Sequence, residues 1–453
     1  MTDHSPPPPR PRSQARSFVS LDRRDQATGE WCAPDRDELA HLGADGSPLI
    51  GRGSGISFVG ASFGPGVRSV STRSLPAECV AAGPSARIRV GAGVTLAELY
   101  RETVSRGVYL PVLPGHPQIT VGGCIACNVH GKNPTRHGTF VDYVEAVELF
   151  HPDHGVLRLS RDESAELFEL TCGGLGLTGI ILSATLRLAT LPSAGVVVRR
   201  NPVDGLAATA ARLAEGAEEV DFLHSWNDFS IFDGRLGRGY VATATFAGDE
   251  VVTRRDPLAY PRHDAAARAP RVRWFRPSVL RALARAHRFF ELRRGTETVE
   301  LYDFVFPGMD FRNAGYYDAY GPRGMIAHVV LIPQDRIPGY LEELACILRR
   351  HRNPLLIASM KPFRGRGRWL RFDGDGIALH AHLPNDTRGQ ALAGDLEALA
   401  LDARAARAVY LDSRVTRAQA EAGYPEIDAF RSALAAFDPR RRFRSTLSLR
   451  LAL

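Results

Sequence analysis

Leu110-Pro-Val-Leu-Pro-Gly-His-Pro-Gln-Ile-Thr-Val-Gly-Gly-Cys-Ile-Ala-Cys-Asn-Val-His-Gly-Lys-Asn133 is the stretch on which the reading of this 453-residue chain turns. It is rich in glycine and other small residues and almost free of charge until His130 and Lys132. Side chains that small are needed where backbone must approach a ligand closely, because no Cβ stands in the way. Successive backbone N–H groups in such a stretch cradle anions such as a pyrophosphate. A tight buried loop with no ligand would need the same composition, so the stretch alone leaves both readings open.

A second glycine-rich stretch precedes it. Ser47-Pro-Leu-Ile-Gly-Arg-Gly-Ser-Gly-Ile-Ser-Phe58 reads as a short apolar strand running into a turn in which Gly51, Gly53 and Gly55 alternate. It is not a dinucleotide fingerprint, because no helical pattern follows it. Two glycine-rich loops in one half of a chain favour the cradle.

Between them, Ala86-Arg-Ile-Arg-Val90 alternates like a strand. Thr95-Leu-Ala-Glu98 is a capping box, with Val94 and Leu99 at the staple positions, and predicts a helix to about Ser105 ended by Gly107. Downstream, 144–160 reads as two strands around the turn His151-Pro-Asp-His-Gly155. A short helix is expected over 165–171, closed by Gly173-Gly174, then a strand over 175–188. This part is α+β rather than a regular βαβ repeat. Composition shifts at 192–202. Beyond it we expect an Ala-rich helix at 206–219, strands at 221–226, 324–333, 355–361 and 376–384, and an amphipathic helix at 338–350: an antiparallel sheet backed by helices.

Composition bounds the partners. A net charge of +7 with many arginines suits acidic partners, although a solvated arginine-rich surface explains it as well. Residues 254–294 are strongly basic with interspersed aromatics, the pattern of a mobile loop and surface helix; contact with a membrane surface is the alternative, and no nucleic acid is expected. The six cysteines are scattered, and the Cys124/Cys127 pair has no second pair to complete a metal site, so no metal is expected. Scattered thiols, no apolar run of spanning length and a Pro-rich N-terminus without an apolar core point to a cytoplasmic chain, with peripheral membrane association through the basic stretch.

The run Leu113-Pro-Gly-His-Pro-Gln-Ile-Thr-Val-Gly-Gly-Cys-Ile-Ala-Cys-Asn-Val-His-Gly-Lys-Asn133 resembles the signature of the FAD-linked oxidoreductases of the vanillyl-alcohol oxidase superfamily, with a PCMH-type FAD-binding fold, and within it the decaprenylphosphoryl-β-D-ribose 2′-oxidase branch. Further landmarks of the resemblance are Gly51-Arg-Gly-Ser-Gly-Ile-Ser-Phe58, Gly173-Gly-Leu-Gly-Leu-Thr-Gly-Ile180, Tyr320-Gly-Pro-Arg-Gly324, Lys361-Pro-Phe363, Asp412-Ser-Arg414 and Phe437-Asp-Pro439. The resemblance implies an α+β fold of two domains. These are an FAD domain at 18–194 completed by 408–453 and a substrate domain at 195–407; composition adds a disordered Pro-rich tail at 1–17 and a basic mobile loop near 251–295. It implies that FAD is held by Gly51, Arg52, Gly53, Ser54, Gly55, Ile56, Ser57, Phe58, Val59, Gly60 and Ala61; by Gly115, Thr120, Val121, Gly122, Gly123 and Cys127; by His130, Gly131, Lys132 and Asn133; and by Ile180 and Tyr410. The first loop contains no histidine, so the flavin is expected to be non-covalent, with His130 and His137 as the weaker alternatives for attachment.

The chemistry implied is oxidation of a secondary hydroxyl of a sugar or sugar-like alcohol, one half of an epimerisation completed by a partner reductase. A base takes the hydroxyl proton and a hydride passes to the flavin. Here the chain departs from the resemblance. The lysine expected before Asp412-Ser-Arg414 is absent, with Leu411 in its place. Two glutamines become Ala327 and Val329, and an Asn and a Cys become Ala378 and His380. His382 shares a strand face with His380. His380 is therefore the expected base, supported by Lys361, His130, Tyr320 and His382; Lys132 is the alternative holder of a phosphate or of the flavin. Oxidation of a non-sugar alcohol, double-bond reduction, or flavin binding without catalysis are the competing readings.

Overall fold

The helix Leu96–Val104 starts where its cap requires it to. The Thr95 side chain accepts from the Glu98 N–H, and the Glu98 carboxylate reaches back to the Thr95 N–H at 2.7 Å. Val94 and Leu99, the staple pair, are buried beside it. In the computed structural model, which describes residues 12–81, 86–248, 272–306 and 316–453, this helix is one of several short elements laid against two sheets. One is five-stranded and antiparallel, in the order Cys79–Ala81, Arg87–Gly91, Ile180–Arg187, Val144–His151, Gly155–Ser160. The other is four-stranded and mixed: Ser13–Val19 pairs antiparallel with Gln26–Cys32, and parallel pairs then add Arg68–Ser71 and Leu49–Arg52.

Two further four-stranded antiparallel sheets follow in the chain. The first holds Phe222–Asn227, Gly239–Phe246, Gly195–Val203 and Thr296–Glu300. The second holds Ala358–Phe363, Gly376–Pro384, Met325–Pro333 and Ala406–Arg407. They meet where the Met360 N–H donates to Ser225 Oγ at 2.8 Å. The architecture is α+β, as the interleaving of short helices with antiparallel strands indicated.

The second of these sheets matters most for function. In Gly376–Pro384, Ile377, Leu379, Ala381 and Leu383 join one apolar cluster with Ile326, Val330 and Ile332 of the neighbouring strand and with the helices Ile337–His351 and Thr387–Asp402. Side chains alternate across a strand. Covering one face with helices therefore turns Ala378, His380 and His382, together with Ala327, Val329, Ser359 and Lys361, to the opposite face. Each buried aliphatic residue contributes about 1.5–3 kcal/mol, which holds that register firmly.

The chain's end returns to its beginning. Leu49 and Arg442–Arg444 exchange backbone hydrogen bonds, and the Leu447 N–H donates to the Gly60 carbonyl. The Asp412-Ser-Arg414 landmark serves the same closure: Asp412 pairs with Arg407, Ser413 with Asp22, and Arg414 with Glu397.

Three expectations need correction. The part of the Pro-rich tail from Ser13 to Ser17 is strand, because alternation resumes after the last proline and Phe18 stacks on Phe63 at 5.6 Å; residues 1–11 lie outside those described. The stretch around Gly122-Gly123 is not loop but the helix Val121–Cys127, capped by Thr120 and closed by Asn128 with a φ of 44°. Of the basic loop, residues 249–271 lie outside those described, while 277–294 is a helix opened by Pro277 at its first turn.

Candidate active site and cofactor cradle

Between the two glycine-rich stretches and the open face of the second sheet lies a cavity of about 460 Å³. One wall is the loop after Leu49–Arg52. The backbone N–H groups of Gly53, Ser54, Gly55, Ile56, Ser57 and Phe58 find no acceptor among the described residues. Unpaired N–H groups in a row are costly unless an anion or solvent satisfies them, and together they form a concave donor array. Gly53 cannot be larger. A Cβ there would stand 2.2 Å from Thr120 Oγ1, and Thr120 is held in place as the cap of Val121–Cys127. Gly122 likewise packs on Ala92, where a Cβ would come within 2.9 Å. These are the features a dinucleotide cofactor needs: donors for its pyrophosphate and side-chain-free backbone where it passes. FAD fits this wall, and Gly51–Phe58, Ala61, Gly115, Thr120, Gly122, Gly123, Cys127, His130, Lys132 and Tyr410 all line the cavity.

Other residues placed in the cradle by the sequence stand behind it. Val59 and Val121 are core residues with no exposure. The Gly60 N–H donates to Asp25. Ile180 supports Gly51 from below, its Cγ2 3.9 Å from where a Gly51 Cβ would be. Asn133 is buried and donates to the Ala217 and Val220 carbonyls, tying the glycine-rich stretch to the next part of the chain. Gly131 packs on Leu113, and its carbonyl accepts from Lys361 Nζ at 3.0 Å. His137 lies elsewhere, against the Asp221 carbonyl.

The opposite wall carries the titratable groups. His380 Nε2 lies 2.8 Å from His382 Nε2, and His382 Nδ1 lies 2.7 Å from the Tyr316 hydroxyl, which meets the Tyr320 hydroxyl at 2.9 Å. His380 lines the cavity, and among the described residues its hydrogen bond is made through Nε2. Burial, and then the Lys361 charge, push His380 down to about 3; burial and His380 hold His382 well below the usual histidine range. Both imidazoles are therefore neutral. Phe58 joins the two walls: its ring is 5.9 Å from that of His382 and 5.7 Å from that of Tyr317. His130 stands apart, edge-on to Phe363 at 5.0 Å, with Tyr410 OH 3.4 Å from its Nδ1.

Tyr320 does not reach the cavity. It is buried behind Tyr316, which touches His382 in its stead. Tyr316 and His224 are the site residues the sequence reading missed. Tyr316 stands one helical turn before Tyr320, a signal available in the Tyr316-Tyr317 pair. His224 lies on the strand Phe222–Asn227 and lines the cavity with its Nδ1 buried and unpartnered. Cys124 and Cys127 sit in the helix beneath the cradle as free thiols, and burial pushes Cys127 up to about 12.

Comparison with known proteins agrees with this geometry. An FAD binding domain family matches residues 36–160, which span both glycine-rich stretches. The chain is 27% identical over 380 residues to decaprenylphosphoryl-beta-D-ribose oxidase of Mycolicibacterium smegmatis, covering 81% of each protein. Over shorter segments it is 34% identical to an alditol oxidase of a Streptomyces species (126 residues, 27% of this chain and 30% of that protein). It is also 30% identical to a D-lactate dehydrogenase of Anaerostipes hadrus (110 residues, 23% of each). With a matching FAD binding domain, a relative along most of its length and a cradle that FAD fits, the chain carries a PCMH-type FAD binding domain and is similar to FAD-dependent oxidoreductases that act on alcohols.

Proposed function

We propose that this protein oxidises a secondary hydroxyl of a sugar or sugar-like alcohol, with His380 as the base. The observation that carries the proposal is the hydrogen-bonded chain His380–His382–Tyr316 on the wall facing the cofactor cradle. Its support from relatives is that their names include oxidases of a ribose derivative and of alditols. FAD, when bound, supplies the hydride acceptor. In the same reading, 18–194 and 408–453 hold the cofactor and 195–407 supplies the substrate wall.

The chain's own residues determine where the proton goes. With His380 Nε2–H donating to His382 Nε2, and His382 Nδ1–H donating to the Tyr316 oxygen, the free lone pair of His380 is at Nδ1, on a ring that lines the cavity. A hydroxyl placed there meets a neutral imidazole already oriented by a second group, the geometry of a proton acceptor, with a basicity that burial lowers. His382 and Tyr316 are positioning residues. Tyr316→Phe removes the acceptor for His382 Nδ1–H and frees the pair to reverse. Flavin reduction is expected to slow about tenfold, with little change in cofactor affinity. Unchanged reduction kinetics in a stopped-flow spectrophotometer would remove Tyr316 from the proposal. The ketone formed is the species that a partner reductase would take to complete an epimerisation.

Membrane contact enters the same proposal through the helix Pro277–Arg294. Among the described residues no helix is long and apolar enough to cross a membrane. On this one, however, Val279, Leu283 and Phe290 form an exposed stripe at helical spacing, beside the exposed Phe289 and Trp274. Arg276, Arg285, Arg293 and Arg294 flank it, and the single acidic residue, Glu291, is paired with Arg200 and Arg294. An apolar stripe between arginines suits a surface of anionic lipid. The protein is expected to sediment with phosphatidylglycerol vesicles and not with phosphatidylcholine vesicles, and Phe290→Asp is expected to release it. Equal recovery with both lipids would refute the contact.

A further inference from the structure

His328 stands in the middle of the sheet that carries His380, and the oxidation proposed above makes no use of it. It pairs with Ala381, in the register that sets Ala327 opposite His382 and Val329 opposite His380. Alternation along the strand turns those residues to one face and turns His328, with Ile326 and Val330, to the helices Ile337–His351 and Thr387–Asp402. The ring therefore lies directly behind the candidate base and its partner. It is fully buried, and neither Nδ1 nor Nε2 has a hydrogen-bond partner among the described residues. A buried imidazole with both nitrogens unpaired is costly, and a charged one is far more so.

The charges around it are already balanced among themselves. The next strand, Ala406–Arg407, sets Arg407 opposite Val330, on the face that His328 shares. Arg407 pairs with Asp412 and, at 3.4 Å, with Glu397 of the helix Thr387–Asp402; Glu397 also pairs with Arg414. The helix Ile337–His351 contributes Tyr340, whose buried hydroxyl has no partner and which burial pushes up, so that it stays uncharged. On the other face of the sheet stand His380 and Lys361. Two guanidinium groups thus meet two carboxylates, and a proton on His328 would add a third positive charge with no counter-ion left for it. Burial, and then Arg407, push His328 down to about 3; Glu397 opposes them, while Arg414 and His380 add to the fall.

We propose that His328 is an acid-sensitive latch of this sheet: when it takes up a proton, Met325–Pro333 and Gly376–Pro384 leave the helices behind them, and the alignment of His380 with His382 is lost. The latch rests on packing and charge, and it holds whatever compound the protein oxidises.

The sign follows from the two end states. Above about pH 6.5 the ring is neutral in the folded and in the unfolded chain and makes no difference to stability. As pH falls further the unfolded chain takes up the proton and the folded chain does not, so the fold weakens progressively towards pH 3. Burial pushes His130, His224, His380 and His382 down as well, so the acid transition takes up about five protons. At about pH 4.5 the His328 share is a factor of about 10² in the unfolding equilibrium. Removing one of five such groups is expected to move the midpoint by about half a pH unit towards acid.

Near-UV circular dichroism of the full chain, followed from pH 7.5 down to pH 3.5, reads the latch. His328→Leu replaces the ring with an apolar side chain suited to the cluster, and His328→Gln supplies a polar side chain that does not titrate, should Leu not fit. Both are expected to lose the tertiary signal about half a pH unit below the wild type. Their melting temperatures are expected to gain on the wild type between pH 7.5 and pH 5. Midpoints that coincide with the wild type, or a difference in melting temperature equal at both pH values, would overturn the latch. Protein labelled with 13C at histidine Cε1 adds a direct reading, the signal missing from the variants being that of His328. It is expected to keep its neutral position until the circular dichroism collapses. A His328 signal that titrates near pH 6.5 in the folded protein would overturn the latch equally. Flavin reduction plays no part in these measurements, so failure of the oxidation would leave their outcome unchanged.

Discussion

His380→Ala is expected to slow reduction of the bound flavin by about 10²-fold, the low end of what a positioned general base contributes, because burial lowers the basicity of this one. The cause is local. His380 lines the cavity, and its Nε2 is fixed by His382 at 2.8 Å. Removing the ring leaves a small void on a sheet face whose other side stays covered by helices, so the fold survives and the effect falls on rate. The pH dependence carries a second signature. Burial holds His380 at about 3, so no loss of activity is expected where an ordinary histidine takes up its proton, near pH 6.5. Any fall near neutrality belongs instead on the alkaline side, from Lys132 and Lys361, which burial pushes down to about 8 and about 7. Stopped-flow bleaching of wild type and variant across pH measures both, and a His380→Ala enzyme that bleaches at the wild-type rate would reassign the base.

Gly53→Ala is expected to lower FAD affinity by about two orders of magnitude or more. The new Cβ would stand 2.2 Å from Thr120 Oγ1, and within 3.1 Å of two of that residue's carbons. Thr120 cannot yield cheaply, because it caps Val121–Cys127 by accepting from the Gly123 N–H. The loop must move instead, taking with it the row of N–H donors from Gly53 to Phe58. Each donor to a charged phosphate contributes about 1.5–3 kcal/mol, and misplacing two accounts for the expected loss. Ultrafiltration of purified variant, followed by absorbance of the retained flavin, measures it. Retention equal to wild type would mean that the loop does not carry the cofactor.

Much of this was legible in the sequence, for identifiable reasons. A capping box is a local device, so the helix after Thr95 could be read from four residues. Residues two apart on a strand share a face, which put His380 and His382 side by side without a structure. What was not legible depends on long-range packing. Gly122-Gly123 has low helix propensity, and only the Thr120 cap and the left-handed Asn128 make Val121–Cys127 a helix. Val59, Gly60, Ile180 and Asn133 adjoin cradle residues in sequence, yet the chain turns them to the core or to the next part of the fold. Tyr316 gains its meaning from a contact with a residue 66 positions away. The lysines were visible as letters. That both face one cavity without a carboxylate was visible only in three dimensions.

The most direct test of the account is anaerobic. The purified protein is denatured to ask whether FAD is released intact, and the native protein is then titrated with hydroxy acids, sugar phosphates and their neutral parents while the visible absorbance is followed. The FAD is expected to be released intact and, in the native protein, to be bleached by a compound with a secondary hydroxyl, with the bleaching slowed in His380→Ala. A protein that holds no flavin, or one whose flavin stays oxidised with every alcohol offered, would contradict it.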